Sequence, residues 1–159
     1  MNARETLPDD LLRDGMRADH ERANALFDRV IECVISDDRE RIATVWTELE
    51  TMLVRHLDVE DELLVPRVAA LSMRDARTLM EEHKHFRKKL AELSTAVDLH
   101  TLRLDPVRDF VDQLRAHARR EDSTLYAFGD EHLSDADREA VLAALTASRR
   151  AGIKRPGPF

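Results

Sequence analysis

Glycine is nearly absent from this chain. Of 159 residues only Gly15, Gly129, Gly152 and Gly157 are glycine, so none lies between Met16 and Phe128. A β-sandwich needs glycine in its hairpins, and a dinucleotide-binding α/β fold needs it in the phosphate loop, so both are excluded. Cys33 is the single cysteine, which rules out an intrachain disulfide and a thiolate metal cluster. Basic residues are outnumbered, 25 against 32 acidic, for a net charge of −7. That balance argues against nucleic acid, whose phosphates require a basic surface. No apolar run approaches the length of a membrane span, and the opening MNARETLPDD carries no apolar signal core. The expected compartment is the cytoplasm, with neither membrane nor nucleic acid as partner.

What is present is a helical pattern. Hydrophobic residues make up 43% of the chain, too many for a disordered segment, and they recur three and four apart. The first stripe is Met16, His20, Ala23, Phe27, Val30, Val34; the second is Ile42, Val45, Leu49, Met52, His56, Glu60, Leu63. The third is Ala76, Leu79, His83, Phe86, Leu90, Leu93, Val97, and the fourth is Val107, Phe110, Leu114, His117, Glu121, Leu125, Phe128. Ser36-Asp37-Asp38 reads as a break and helix cap, Ser72, Asp105-Pro106 and Ser134 as helix starts, and Gly129 as a helix stop. Pro66 is expected to bend or end the second helix. Predicted helices span roughly 9–35, 38–70, 73–98, 106–128 and 135–149, with Arg149 and Arg150 in the last turn and a loose tail at 151–159. The expected architecture is all-α: one domain over 1–150, an antiparallel up-down four-helix bundle with a short fifth helix.

Each of the four long stripes holds a histidine where leucine is expected. Two also carry a glutamate one turn later, as His56-x-x-x-Glu60 and His117-x-x-x-Glu121. Residues four apart share a helix face, so each His/Glu pair points the same way. His20 and His56 are 36 residues apart, His83 and His117 are 34 apart, and the two halves are offset by 63 and 61 residues. The pattern is that of a duplicated helical hairpin. A lone histidine on an apolar face is more often a satisfied core residue than a ligand. An apolar stripe takes roughly two to three positions in seven, which makes four inward histidines by chance a matter of about a few per cent. The glutamates weigh more, because burying a carboxylate costs several kcal/mol unless it is paired or metal-bound.

Four imidazoles and two carboxylates are too many ligands for one zinc. They suit two metals about 3.5–4 Å apart, each with two histidines and both bridged by the carboxylates. Nitrogen and oxygen donors without thiolate favour iron or manganese over copper or zinc. Histidine precedes glutamate here by four residues, unlike the Glu-x-x-His of ferritin-like bundles.

The residues Arg17-Ala-Asp-His20-Glu-Arg22, His56-x-x-x-Glu60-Asp-Glu-Leu-Leu-Val-Pro66, Glu82-His83 and His117-x-x-x-Glu121-Asp122 resemble the hemerythrin-like, or HHE cation-binding, domain. The resemblance spans roughly Leu11 to Leu145. It implies a four-helix bundle with a non-haem di-iron centre, bridged by two carboxylates and an oxo or hydroxo group, with manganese or zinc as alternative metals. Carried over by position, the ligands are His20, His56, Glu60, His83, His117 and Glu121. Oxygen carriers of that family have a second histidine one turn from the one on helix three. Here Leu79 and Arg87 stand at those positions, which implies an extra open position and favours reaction or sensing of O2, peroxide or NO over reversible carriage. A metal-responsive regulatory module without turnover is the alternative. The carriers' second bridge lies five residues after histidine, so Asp122 competes with Glu121. Glu82, Asp58 and Asp61 flank the ligands as candidate holders of imidazole N–H groups. His85, His100 and His132 read as surface residues. Tyr126 reads as packing, with a hydrogen bond to a ligand or a radical role as the other options.

Overall fold

The computed structural model describes Leu11–Ala151, and the expected tail lies outside the described residues except for Ala151. The side chains of Arg149 and Arg150 lie outside them as well. Within this span helix is the regular structure: α1 (Leu11–Ile35), α2 (Arg39–Val59), a π-helical turn (Glu60–Leu64), α3 (Val65–Leu71), α4 (Met73–Asp98), α5 (Leu104–Ser123), α6 (Leu125–His132) and α7 (Asp135–Ala151). α1 and α4 each pack against both α2 and α5, so the four long helices close a ring around a shared interior. α7 packs on α1 and α2 near the π turn. Among the described residues no helix is long and apolar enough to cross a membrane.

Local chemistry sets the boundaries. Asp38 accepts from the Arg41 amide at 3.1 Å, Ser72 from Asp75 at 3.3 Å and Ser134 from Asp137 at 3.1 Å. Each satisfies a donor left free in a first turn. The links that follow α1 and α4 pass through Asp37 and His100, both at positive φ (51° and 54°). Asn and Asp enter that region more readily than other residues, and Asp37 is such a case.

The second predicted helix runs past Pro66 to Leu71, close to its expected end at 70, as α2, the π turn and α3, and the π turn ahead of the proline accommodates it. The Val65 amide reaches back five residues to the Glu60 carbonyl, and Pro66 then sits in the first turn of α3, where no amide hydrogen is needed. The fourth long helix starts at Leu104 rather than Pro106 and breaks at Thr124 (φ −122°, ψ −66°), not at Gly129. Gly129 lies inside α6. A Cβ there would meet Leu12 Cδ2 at 2.6 Å, so its role is close approach of α6 to α1.

The apolar interior is split in two. One cluster holds Phe27, Trp46, Leu49, Leu53, Phe86, Leu90, Phe110 and Leu114 with their neighbours. The other holds Leu12, Met16, Leu64, Val68, Leu125, Val141 and Leu145. Along α1 the clusters hand over between Met16 and Ala23; along α4, between Ala76 and Phe86; along α5 and α6, between Leu114 and Leu125. Every one of those gaps contains a stripe histidine.

Candidate metal centre

The gap between the clusters is a polar layer. Asp19, His56, Glu60, His83, His117 and Glu121 are all buried, Glu60 and His83 with no exposed surface at all. His20 is the more open member, with 18% of its side chain accessible. The structure thus brings together all six residues singled out above.

Their donor atoms form two overlapping groups. His20, His56, Glu60 and Glu121 offer one atom each within 4.8 Å of one another, and so do Glu60, His83, His117 and Glu121. The glutamates are common to both. His56 Nε2 lies 3.2 Å from Glu60 Oε1, and His83 Nε2 lies 3.4 Å from Glu60 Oε2 and 3.3 Å from Glu121 Oε1. His117 Nε2 is 2.6 Å from Glu121 Oε1, and His20 Nε2 is 3.5 Å from Glu121 Oε2. One carboxylate oxygen of Glu60 therefore faces each histidine pair.

Two buried atoms, Glu60 Oε2 and His117 Nε2, make no hydrogen bond even at these separations. Buried polar groups are otherwise almost always satisfied, and donors crowded without hydrogen-bond alignment are the arrangement a shared cation would complete. On chemistry and geometry the set fits a pair of metal ions, with two neutral imidazoles per ion and two shared anionic carboxylates.

The outer ring nitrogens are held as metal-ligating imidazoles usually are. His83 Nδ1 donates to Asp61 Oδ1 at 2.6 Å, and His117 Nδ1 to Glu82 Oε2 at 2.7 Å. Arg87 in turn clamps Asp61 (2.7 Å) and Asp58 (2.8 Å), and Arg120 clamps Glu82 (2.9 Å). Asp58 thus serves the arginine and no imidazole. His56 Nδ1 faces Asp19 at 3.4 Å. Asp19 escaped the sequence reading, although its place beside His20 on the α1 stripe was the available signal. The π turn matters here too, since it lets Glu60 and the adjacent Asp61 both reach His83, on opposite nitrogens.

Asp122 stands outside the polar layer that Glu121 enters. It forms a two-pronged pair with Arg17, at 2.7 and 2.8 Å, on the outside of the bundle, while Glu121 points inward. His85 is exposed and bonds Gln113 at 2.9 Å, and His100 and His132 are exposed. Tyr126 is not mere packing: its hydroxyl enters the polar layer and donates to Glu60 Oε1 at 2.8 Å.

Burial would depress His56, His83 and His117, but the facing carboxylates outweigh it. His56 and His117 are raised, and His83 is pushed up to about 9. Glu121 is held well below the usual carboxylate range, burial being overcome by His117, His20 and His83. Burial and the two glutamates push the Tyr126 phenol well above its ordinary value.

A cavity of about 30 Å³ adjoins His20, His56, His117 and Glu121 and is walled by Phe27, Leu53, Leu57 and Leu114. That is room for a diatomic molecule or a water. Beyond it a surface cleft of about 420 Å³ opens between α1 and α5, with His20 lining both spaces. Arg115, bonded to Asn24 (2.9 Å) and Asp28 (3.0 Å), borders the passage.

Residues 11–147 match the sequence profile of the family described as Hemerythrin HHE cation binding domain. A curated protein of Nostoc sp. (strain PCC 7120) described as a DNA nickase is 28% identical over 139 residues, 87% of this chain and 39% of that relative. The chain thus spans about two fifths of the length of that relative. No solved structure shows significant similarity.

Proposed function

The chain belongs to the hemerythrin HHE cation-binding family, and from that premise we propose that His20, His56, Glu60, His83, His117 and Glu121 hold two non-haem iron ions that meet a small ligand: O2, peroxide or NO. The observation that carries this reading is the sharing of Glu60 and Glu121 between two groups of donors in one buried layer. When bound, such an ion pair supplies a place for a diatomic or peroxide ligand and spreads an electron change over two metals. The protein's part is positional. Asp61 and Glu82 fix the tautomers of His83 and His117 so that Nε2 faces inward, and the two apolar clusters keep bulk water from the layer. The apolar cavity beside His20 suits an uncharged diatomic, with the His20 edge as its way in. The two hairpins support an antiparallel up-down course, since α1 and α2 are joined by only three residues, Ser36 to Asp38. A cytoplasmic setting is part of the same reading.

Turnover would make this a detoxifying centre, and ligand-dependent packing alone would make it a sensor. The second, a metal-responsive module without catalysis, draws on the matched relative, in which the similar stretch is one part of a longer protein. Nicking of DNA is not extended to this chain, whose net charge of −7 does not provide the basic surface that a phosphate backbone calls for.

The test is metal content per chain with a near-ultraviolet and visible spectrum, on protein made in iron-supplemented medium. About two irons, with oxo-bridge bands that change on adding peroxide or NO, is the expected result. His56→Ala and Glu60→Ala should each lower the stoichiometry while the helical signal survives. A wild-type chain that takes up no iron, or a single loosely held zinc, overturns the proposal.

A further inference from the structure

The internal repeat offers its own control. The two hairpins match at an offset of 61 residues for His56/His117 and Glu60/Glu121. Five residues beyond each glutamate the repeat breaks, because Val65 stands where the second half has Tyr126. Both side chains are buried in the same apolar cluster. Val65 completes that cluster as an aliphatic residue would anywhere, whereas Tyr126, with no exposed surface, sends its hydroxyl back into the polar layer.

The placement of that oxygen is specific. It lies 2.8 Å from Glu60 Oε1, 3.1 Å from His20 Nε2 and 3.2 Å from Glu121 Oε2. These are three of the four side chains that converge on the His20/His56 half of the centre. No comparable oxygen faces the His83/His117 half among the described residues. The local fold is built to put it there. In an unbroken α5, position 126 would sit about 140° around the helix from Glu121. The break at Thr124 (φ −122°, ψ −66°) restarts the helix as α6 and returns position 126 to the interior. The chain lacks a fifth inward histidine, and this phenol is a further protein donor atom in contact with the ligand set.

We propose that Tyr126 is a seventh protein ligand, coordinating through its phenol oxygen the ion held by His20 and His56. On binding a ferric ion the O–H bond breaks and an iron–oxygen bond forms. The proton leaves to solvent, and no electron changes hands. The two halves of the centre then differ in kind: a phenolate-bearing position open to the cavity beside His20, and a buried position of imidazole and carboxylate alone.

This rests on the metal-pair reading above, and the experiment separates the two. The full chain is loaded with ferrous iron under nitrogen, oxidised with ferricyanide and desalted; iron content, visible absorption and resonance Raman spectra are then recorded. A phenolate-to-ferric charge-transfer band is expected, with tyrosinate ring modes enhanced on excitation into it. Tyr126→Phe should lose the band while keeping its helical signal and the iron of the His83/His117 position. His20→Ala should lose the band likewise. The Raman spectrum of the wild-type chain needs no variant, so a poorly folding Tyr126→Phe does not block the test. Two ferric ions without the band, or a band that persists in Tyr126→Phe, overturns the proposal alone. A chain that takes up no iron refutes it together with the reading on which it rests.

Discussion

Raising the pH from 6.5 to 9 should destabilise the metal-free protein and strengthen its hold on metal. In the folded, metal-free chain His83 is pushed up to about 9 from 6.5, and His56 and His117 are raised as well. A group whose folded pKa lies above its unfolded value stabilises the fold fully below the unfolded value. That contribution is lost as pH climbs through the folded one. At about 1.4 kcal/mol per unit, His83 alone accounts for about 3 kcal/mol over the window. The other two add less than their separate shares, because His117 and His83 repel when both are charged. For a chain of this size 1 kcal/mol moves Tm by about 2–4 °C, so a fall of about 6–12 °C is expected. Glu121, held low, acts only at the acid end and leaves this window untouched. Metal binds neutral imidazole, so its uptake expels the same protons and its affinity rises with pH. The assay is thermal and urea unfolding of chelator-treated protein at pH 6.5, 7.5 and 9, with and without added metal. The gap between loaded and metal-free midpoints should widen steadily. A metal-free midpoint that stays level or rises across the window would refute the argument, since it would mean these imidazoles are neutral inside the fold.

Asp61→Asn and Glu82→Gln keep the side chains' size but weaken their grip on His83 and His117. Each should lower metal affinity by roughly 10–100-fold in a competition titration with a chelator, with little change in helical signal. Leu49→Ala, at a position 1% exposed in the cluster away from the centre, should cost about 2–5 kcal/mol in urea unfolding while leaving metal stoichiometry unchanged. A loss of metal in that variant would show that the clusters and the polar layer are not separable.

Much of the centre was legible in one dimension because a helix turns a period into a direction. Residues at the apolar spacing must face the interior, so histidine or glutamate at those positions, such as His56 and Glu60, had to be buried if the stripe was. The duplicated spacing of the two hairpins likewise suggested a shared site. Choosing between Glu121 and Asp122 needed the structure: neighbours in sequence point about 100° apart on a helix, and only the packing of α1 against α5 showed Arg17 waiting for Asp122. Asp61 and Glu82 stood out beside the ligands as candidate holders of imidazole N–H groups, and Asp19 did not; which histidine each one faces needed the structure, because no periodicity within one helix reports what stands across the gap.

The chain's own periodicity, caps and missing glycine determined the helices, their inward faces and the placing of six polar residues on those faces, all of which follow from bonds within a turn or two of backbone. Tertiary structure alone decided the rest. It set a π turn just ahead of Pro66, inside the helical stretch that runs on to Leu71. It split the interior into two apolar clusters with a polar layer between, set a cavity and a surface cleft against that layer at His20, and turned Tyr126 into it through the break at Thr124. Those outcomes depend on distances between segments far apart in sequence, which local propensity does not encode.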